Sequence, residues 1–253
     1  MNPSRFEAVD ALRGAAMLWM TAFHLSFDLN QFGYIHQNFY TDPFWTGQRT
    51  LIVSLFLACA GMGQALAVAA GQSWVRFWRR WAQVAGCALL VTAGSWLMYP
   101  QTFIYFGVLH GMAAMLLLAR LTVGWGRGLW PAGASVIAIY FIAPYAITTL
   151  ASPRLVDLLN SPSLNWLGLI TVKPVTEDYV PLLPWLGLMW WGVAAGNGLG
   201  AALKAGHWTG QVRPVFQPLV RLGRWSLSYY MVHQPVMIGA LMLIAWVSSQ
   251  GRA

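Results

Sequence analysis

Seven long apolar segments constrain this chain more than any other feature. A helix needs about 20 residues to cross the hydrocarbon core of a bilayer. Only 9% of the residues are charged, whereas soluble domains carry about 25%. The sequence therefore predicts an all-α, polytopic membrane helix bundle. We place its transmembrane helices at residues 10–30, 48–70, 80–98, 103–122, 129–150, 181–203 and 225–247.

The basic residues between these segments fall mainly on one side of the predicted membrane. Because lysine and arginine stay cytoplasmic, this side is predicted to be inside, with the amino terminus. The net charge of +8 then reflects topology, and no nucleic-acid partner is expected. The inner residues are Arg5, Arg76, Arg79, Arg80, Arg120, Arg127, Lys204, Arg213, Arg221 and Arg224. Acidic residues lie on the other side: Asp28, Asp42, Asp157, Glu177 and Asp178.

The chain reads as one membrane-embedded domain over residues 1–253, without an internal repeat or a linker. The first segment contains Arg13 and His24, and no small-residue cleavage site follows it, so we do not interpret it as a cleaved signal peptide. Cys59 and Cys87 lie in apolar runs, as buried thiols do, and no metal site is expected. We expect a multipass protein of the bacterial inner (plasma) membrane.

The first segment, DALRGAAMLWMTAFHLSFDL, carries a stripe of polar residues. Arg13 and His24 are eleven positions apart, so a helix places them on one face about 16 Å apart. Asp10 and Asp28 extend this face at offsets of three and four residues. Polar side chains in membrane helices face the bundle interior or a water-filled cavity, where they mark a substrate or ion pathway. The alternative is a structural Asp–Arg pair and a histidine that ties helices together.

Three further residues are candidates for a site. His110 is at a depth similar to that of His24, where it fits a catalytic role or a helix-to-helix hydrogen bond. His233 follows Tyr229 by one turn and precedes Pro235, which predicts a kinked polar face that lines the donor side or is structural. Asp178 precedes the sixth segment, as an acceptor-binding residue or a helix cap would.

Five segments in order carry a resemblance to a known family. They are RGAAMLWMTAFH (13–24), FLACAGMGQAL (56–66), YFGVLHGMAAMLL (105–117), DYVPLLPWLGLMWWGVAAG (178–196) and LGRWSLSYYMVHQPV (222–236). The set resembles the heparan-α-glucosaminide N-acetyltransferase-like family of integral-membrane acyltransferases. The arginine-x10-histidine spacing at its start is also similar to that of acyltransferase type 3 proteins.

The resemblance implies that an acetyl group passes from cytoplasmic acetyl-CoA to a sugar or amino-sugar acceptor on the other side. It also implies a histidine on the non-cytoplasmic side, just after the first helix. His24 completes the arginine-x10-histidine pattern, whereas His36 lies in the loop after the first helix, and the choice between them stays open. Trp45, His110 and Asp178 are candidates for substrate binding.

The chemistry asks for the same residue types. Histidine is the natural base near neutral pH, and Asp28, one turn beyond His24, can orient its ring and stabilise the imidazolium. The guanidinium of Arg13 suits a phosphate or the pantetheine amide of CoA. Arg76 and Arg80, in RFWRR, fit the CoA phosphates or a topogenic charge cluster, and His233 completes the donor-binding set.

Other function classes share some of these sequence features. A proton-coupled small-molecule transporter uses the same polar residue types in its helices, although no repeat relates two halves of this chain. A scaffold subunit has no need for so many titratable groups at depth. An O-acyltransferase that acts on an envelope glycan is the alternative within the same class. The sequence does not identify the acceptor or decide between a monomer and a homo-oligomer.

Overall fold

The structure is a computed structural model that describes residues 6–206 and 211–250. The basic residue Arg5, used in the topology argument, lies outside these ranges. The described residues form nine α-helices and three short 3-10 turns, without a β-strand. The helices are α1 (Glu7–Gln31), α2 (Pro43–Ala69), α3 (Trp74–Met98), α4 (Val108–Thr122), α5 (Leu129–Leu150), α6 (Pro153–Asn160), α7 (Leu182–Lys204), α8 (Gln217–Arg224) and α9 (Ser226–Gln250).

The predicted all-α fold is confirmed, and each of the seven apolar segments contributes a long helix. α2 and α3 begin earlier than predicted, at Pro43 rather than residue 48 and at Trp74 rather than residue 80, whereas α4 begins later, at Val108 rather than residue 103. The residues just before α4 are not helical, and Phe106 among them forms an isolated parallel bridge with Tyr179. The backbone N–H of Val180 donates to the Phe106 carbonyl at 3.1 Å, and that of Glu177 donates to Thr102 at 2.9 Å.

Four stretches are long and apolar enough to cross a bilayer: Pro43–Ala69, Trp74–Met98, Val108–Leu150 and Ser226–Gln250. The third combines α4 and α5. This count rests on length and composition, and it identifies an integral membrane protein. The seven-span count and the cytoplasmic amino terminus remain predictions.

The chain divides into two compact units. The first unit consists of Met1–Phe56 and Gly210–Ala253, and it contains α1, α8, α9 and the first half of α2. The second unit, Leu57–Thr209, contains the rest of α2 and the helices from α3 to α7. The single domain over 1–253 remains a prediction.

In the first unit, α1 and α8 touch backbone to backbone. A Cβ added at Gly14 would overlap the carbonyl oxygen of Leu219, and one added at Gly223 would overlap that of Asp10. Ion pairs reinforce the contact, because Arg224 lies 3.6 Å from a carboxylate oxygen of Glu7 and 3.5 Å from one of Asp10. Small residues thus allow the close approach that membrane helices favour.

In the second unit, α2 and α7 meet along a similar line of glycines, here called the α2–α7 seam. A Cβ at Gly61 would overlap the Met189 carbonyl oxygen, and one at Gly192 would overlap that of Ala58. At Gly196 the added Cβ would lie 2.8 Å from Ala65 Cβ. The two helices therefore pack without a layer of side chains between them.

Candidate active site

The polar face of α1 meets α9 in the first unit. The rings of His24 and His233 lie 5.3 Å apart between centroids, at an interplanar angle of 61°. One turn before His24, the hydroxyl of Thr21 is 2.7 Å from that of Tyr229, which lies one turn before His233. Residues spaced by three or four positions share a helix face, so two successive turns of each helix contribute to the same contact.

The hydrogen bonds of His233 fix its tautomer. Its Nδ1 lies 2.7 Å from the carbonyl oxygen of Tyr230. A carbonyl accepts only, so Nδ1 carries the proton and donates. In the neutral ring, Nε2 is then the basic nitrogen. Nε2 is buried without a hydrogen-bond partner in the described chain, and Tyr229 stacks on the ring at 5.8 Å and 9°.

Asp28 supplies a second buried acceptor on the same helix face. The residue is 4% exposed, and its carboxylate has the Gln234 side-chain amide beside it. Its Oδ2 finds no hydrogen-bond partner among the described residues. Buried polar atoms without partners are uncommon in folded proteins. Asp28 and His233 therefore both present acceptor atoms that a ligand with N–H or O–H groups would satisfy.

Aromatic side chains flank His24. Phe23 contacts His24 at 5.8 Å, Phe39 at 5.7 Å and Trp45 at 6.0 Å between ring centroids. Phe39 also lies 4.1 Å from Trp45. The predicted substrate-binding residue Trp45 is thus connected to His24 through Phe23, as part of an aromatic cluster at the end of α1.

His36 lies apart from the histidine pair. It is exposed, in the loop between α1 and α2. The adjacent backbone N–H of Gln37 donates to Asn30 Oδ1 at 2.6 Å, which fastens the loop to the end of α1. Within the described ranges, the ring contacts of His24 and His233 do not include His36. The structure therefore brings together His24, Asp28 and His233, and leaves His36 outside that group.

The predicted donor-binding arginines occupy other places. Arg13 pairs with Asp10 at 3.1 Å, near the start of α1, as the structural alternative for this pair expects. Arg76 and Arg80 are exposed on the first turns of α3, in the second unit. Arg76 donates to the carbonyl of Gly71 at 2.8 Å. A donor-binding role for these three residues remains a prediction.

Asp178 and His110 have structural partners in the second unit. Asp178 Oδ2 accepts from the backbone N–H of Val108 at 2.7 Å and so caps the start of α4. His110 Nδ1 accepts from the N–H of Gly107 at 3.3 Å, and its Nε2 lies 3.0 Å from the Thr92 hydroxyl. Both ring nitrogens are therefore occupied inside the protein. The helix-to-helix hydrogen bond is present, and substrate binding by either residue remains a prediction.

The second unit contains another polar cluster, which was not predicted from the sequence. Asn165 is 1% exposed, and its side-chain Nδ2 donates to the Tyr105 hydroxyl at 2.7 Å. The Tyr179 hydroxyl donates to the backbone carbonyl oxygen of Asn165 at 2.6 Å. Burial raises the pKa of both phenols, which therefore stay protonated at neutral pH. Asn165 is a single amide side chain in the apolar run SLNWLGLIT (163–171), and this feature of the sequence could have indicated the cluster. Thr21 and Tyr229 could have been found from their spacing of one turn to His24 and His233.

Residues 5–235 match the family model described as heparan-alpha-glucosaminide N-acetyltransferase, catalytic. The match includes α1 and the part of α9 that carries His233. Comparisons with curated proteins and with solved structures find no match. The family model covers most of the chain, in agreement with the five ordered sequence segments. The chain therefore belongs to the heparan-alpha-glucosaminide N-acetyltransferase catalytic-domain family of membrane acyltransferases.

Proposed function

We propose that this protein transfers an acetyl group from cytoplasmic acetyl-CoA to a sugar or amino-sugar acceptor on the other side of the membrane. We assign the chemistry to His24, His233 and Asp28. The observation that supports this proposal is the contact between two histidine rings from α1 and α9, 5.3 Å apart, beside a buried carboxylate one turn away. An isolated structural histidine needs neither of these neighbours.

The roles follow from the hydrogen bonds. The acceptor nitrogen or oxygen attacks the thioester carbonyl carbon, the C–S bond breaks, and the CoA thiolate leaves. Nε2 of His233 takes the proton of the attacking group and returns it to the thiolate, so the products are the acetylated acceptor and free CoA. Asp28 stabilises the positive charge that the histidine pair gains during transfer. His24 contacts the reacting groups as a second base or as the nucleophile of a two-step route.

The two unpartnered atoms of the site favour one class of acceptor. Asp28 Oδ2 and His233 Nε2 both accept hydrogen bonds, and both are buried. A ligand that supplies donors removes the cost of leaving them unsatisfied. Hydroxyl and amino groups of a sugar supply such donors, whereas an anionic or purely apolar acceptor does not. Trp45, which is partly exposed beside the buried rings of Phe23 and Phe39, adds an apolar face of the kind that sugar rings pack against.

The test is incubation of the purified protein with [¹⁴C]acetyl-CoA in the absence of an acceptor, followed by separation of protein from free label. Retained label and free CoA thiol, both lost in His24→Ala, identify the two-step route. Thiol release that requires an added amino sugar or glycan, and is lost in His233→Ala, identifies direct transfer. Absence of thiol release under both conditions, from a protein of confirmed fold, rejects the proposal in favour of the proton-coupled transporter.

A further inference from the structure

Arg120 is a buried cation near the carboxyl end of α4, in the second unit. The residue is 9% exposed. Its Nη2 donates to the carbonyl oxygen of Gln72 at 2.8 Å, in the turn between α2 and α3. Its Nη1 is also buried, and it has no hydrogen-bond partner in the described chain. Arginine is always charged in proteins, so the structure holds a full positive charge whose Nη1, with its two N–H groups, has no acceptor in the described chain.

No carboxylate of the second unit balances this charge. Its acidic residues are Asp157, Glu177 and Asp178. Asp178 caps the start of α4, twelve positions before Arg120, which is about 18 Å along a helix. Glu177 accepts from Thr102 in the same region. The ion pairs found within the described ranges do not include Arg120, and an uncompensated buried charge is strongly destabilising.

Aromatic rings and the helix end explain only part of the environment. The guanidinium carbon lies 4.8 Å from the ring centroid of Trp74 and 5.7 Å from that of Phe77. Such rings attract a cation, and the carboxyl end of α4 contributes partial negative charge. A purely structural clamp between α4 and the α2–α3 turn accounts for the bond to Gln72. It does not account for the buried Nη1, which needs an acceptor.

We propose that Arg120 binds a phosphate group, at a position completed by the α2–α3 turn and covered by Trp74. This position is called the Arg120 site. Phosphate oxygens match the fork of a guanidinium and accept from two of its nitrogens at once. Trp74 is 46% exposed, so a ligand that approaches Arg120 from the side of this ring has to displace it. The positive-inside pattern predicts that this end of the second unit faces the cytoplasm.

Two sources supply the same phosphate chemistry. One is the 3′-phosphate or the diphosphate of CoA, and this source rests on the proposed function. The other is the headgroup of an anionic phospholipid, which does not. With either ligand, Arg120 contacts a phosphate instead of serving only as a topogenic charge, and neither ligand requires the exposed arginines Arg76 and Arg80.

The experiment uses the full chain in phosphatidylcholine nanodiscs. CoA and 3′-dephospho-CoA are titrated by calorimetry into wild type, Arg120→Gln, Arg120→Lys and the matched exposed control Arg79→Gln. Loss of charge-assisted hydrogen bonds predicts about 10- to 100-fold weaker CoA binding in Arg120→Gln. Arg120→Lys keeps the charge without the fork, so a smaller loss is expected, and Arg79→Gln stays within about twofold of wild type. Equal loss for both ligands identifies the diphosphate, and loss for CoA alone identifies the 3′-phosphate.

A second arm measures the rise in melting temperature when phosphatidylglycerol replaces part of the phosphatidylcholine. A rise in wild type and Arg79→Gln that disappears in the Arg120 variants identifies a lipid headgroup. If Arg120→Gln does not fold, Arg120→Lys serves in both arms. Unchanged CoA binding together with an unchanged lipid response in a folded Arg120 variant overturns the Arg120 site. The two proposals can fail separately. If wild type never releases thiol from acetyl-CoA, but its melting temperature responds to phosphatidylglycerol and the Arg120 variants do not respond, the proposed function is rejected and the Arg120 site is retained.

Discussion

The imidazole rings of His24 and His233 lie 5.3 Å apart, although the two residues belong to the first and last helices of the chain. Thr21 and Tyr229 repeat the contact one turn away, with hydroxyl oxygens 2.7 Å apart. The pair therefore belongs to an ordered α1–α9 contact. The polar stripe of α1 consequently has its functional partner on a helix that local sequence spacing does not indicate.

The first prediction concerns this histidine pair. His24→Ala and His233→Ala are each expected to lower acetyl transfer by about 10²- to 10⁴-fold, the usual contribution of a positioned base. His36→Ala, which changes an exposed loop residue, is expected to keep most of the activity. CoA thiol release in the presence of an acceptor measures the effect, with unchanged melting temperature as the control for folding. Full activity in both α1 and α9 variants would exclude the histidine mechanism.

The second prediction concerns the backbone contact of α1 with α8. Gly14→Ala places a Cβ against the carbonyl of Leu219, so we expect a loss of about 1–3 kcal/mol in the free energy of unfolding. Gly86→Ala is the matched control, because its Cβ meets no atom within 4 Å. Gly86→Ala should raise the free energy of unfolding by about 0.5–1 kcal/mol, because alanine is favoured over glycine in a helix interior. Unfolding titrations in mixed detergent micelles compare the two, and equal effects would contradict the close contact.

The third prediction concerns alkaline pH. Burial raises the pKa of the Tyr179 phenol above its ordinary value of 10.0. Above pH 10, Tyr179 in the unfolded chain loses its proton, whereas the phenol in the folded protein keeps it. The free energy of unfolding therefore falls as the pH rises. Below pH 10, Tyr179→Phe should lower the free energy of unfolding by about 1 kcal/mol, because the hydrogen bond to Asn165 is lost. Above pH 10, the free energy of unfolding of this variant should fall less steeply than that of wild type.

The control for this measurement is Tyr145→Phe, because Tyr145 is an exposed phenol on α5. Unfolding free energies measured from roughly pH 8 to 11 bracket the ordinary tyrosine pKa. The Tyr145 variant should follow the wild-type curve throughout. Parallel curves for wild type and the Tyr179 variant above pH 10 would show that this phenol does not contribute to alkaline unfolding.

The fourth prediction concerns orientation. In a background with Cys59 and Cys87 replaced by alanine, Asp157→Cys should react with a membrane-impermeant maleimide on intact spheroplasts. Arg79→Cys should react only after permeabilisation, because lysine- and arginine-rich loops stay cytoplasmic. Both side chains are exposed, so burial does not explain a difference in labelling. The reverse pattern would place the amino terminus outside.

The long helices were predictable from the sequence because their apolar runs are long and uninterrupted. The start of α4 was not, since residues 103–107 are as apolar as the helix that follows. Their non-helical conformation accompanies the bridge between Phe106 and Tyr179, a contact between distant parts of the chain. Helix spacing predicts which residues share a face, but it does not predict such pairings.

The candidate site was also predictable only in part. The stripe with His24 and Asp28 follows from helical periodicity, whereas the identity of its partner helix depends on tertiary packing. Asp178 was expected to bind an acceptor or to cap a helix, and it caps α4 rather than the helix that it precedes. Arg120 was counted among the topogenic charges because a sequence shows the number and side of such residues. Its burial depends on Trp74 and Phe77, which fold over it from α3.

The α2–α7 seam has a mechanical consequence. Where Gly61 and Gly192 bring two backbones together, there are no side chains whose rotamers could change to accommodate sliding or tilting. The second half of α2 and the facing part of α7 should therefore move as one stiff strut, and any rearrangement of the second unit must take place in other elements. Hydrogen exchange should find the slowest amides of this unit along that strut.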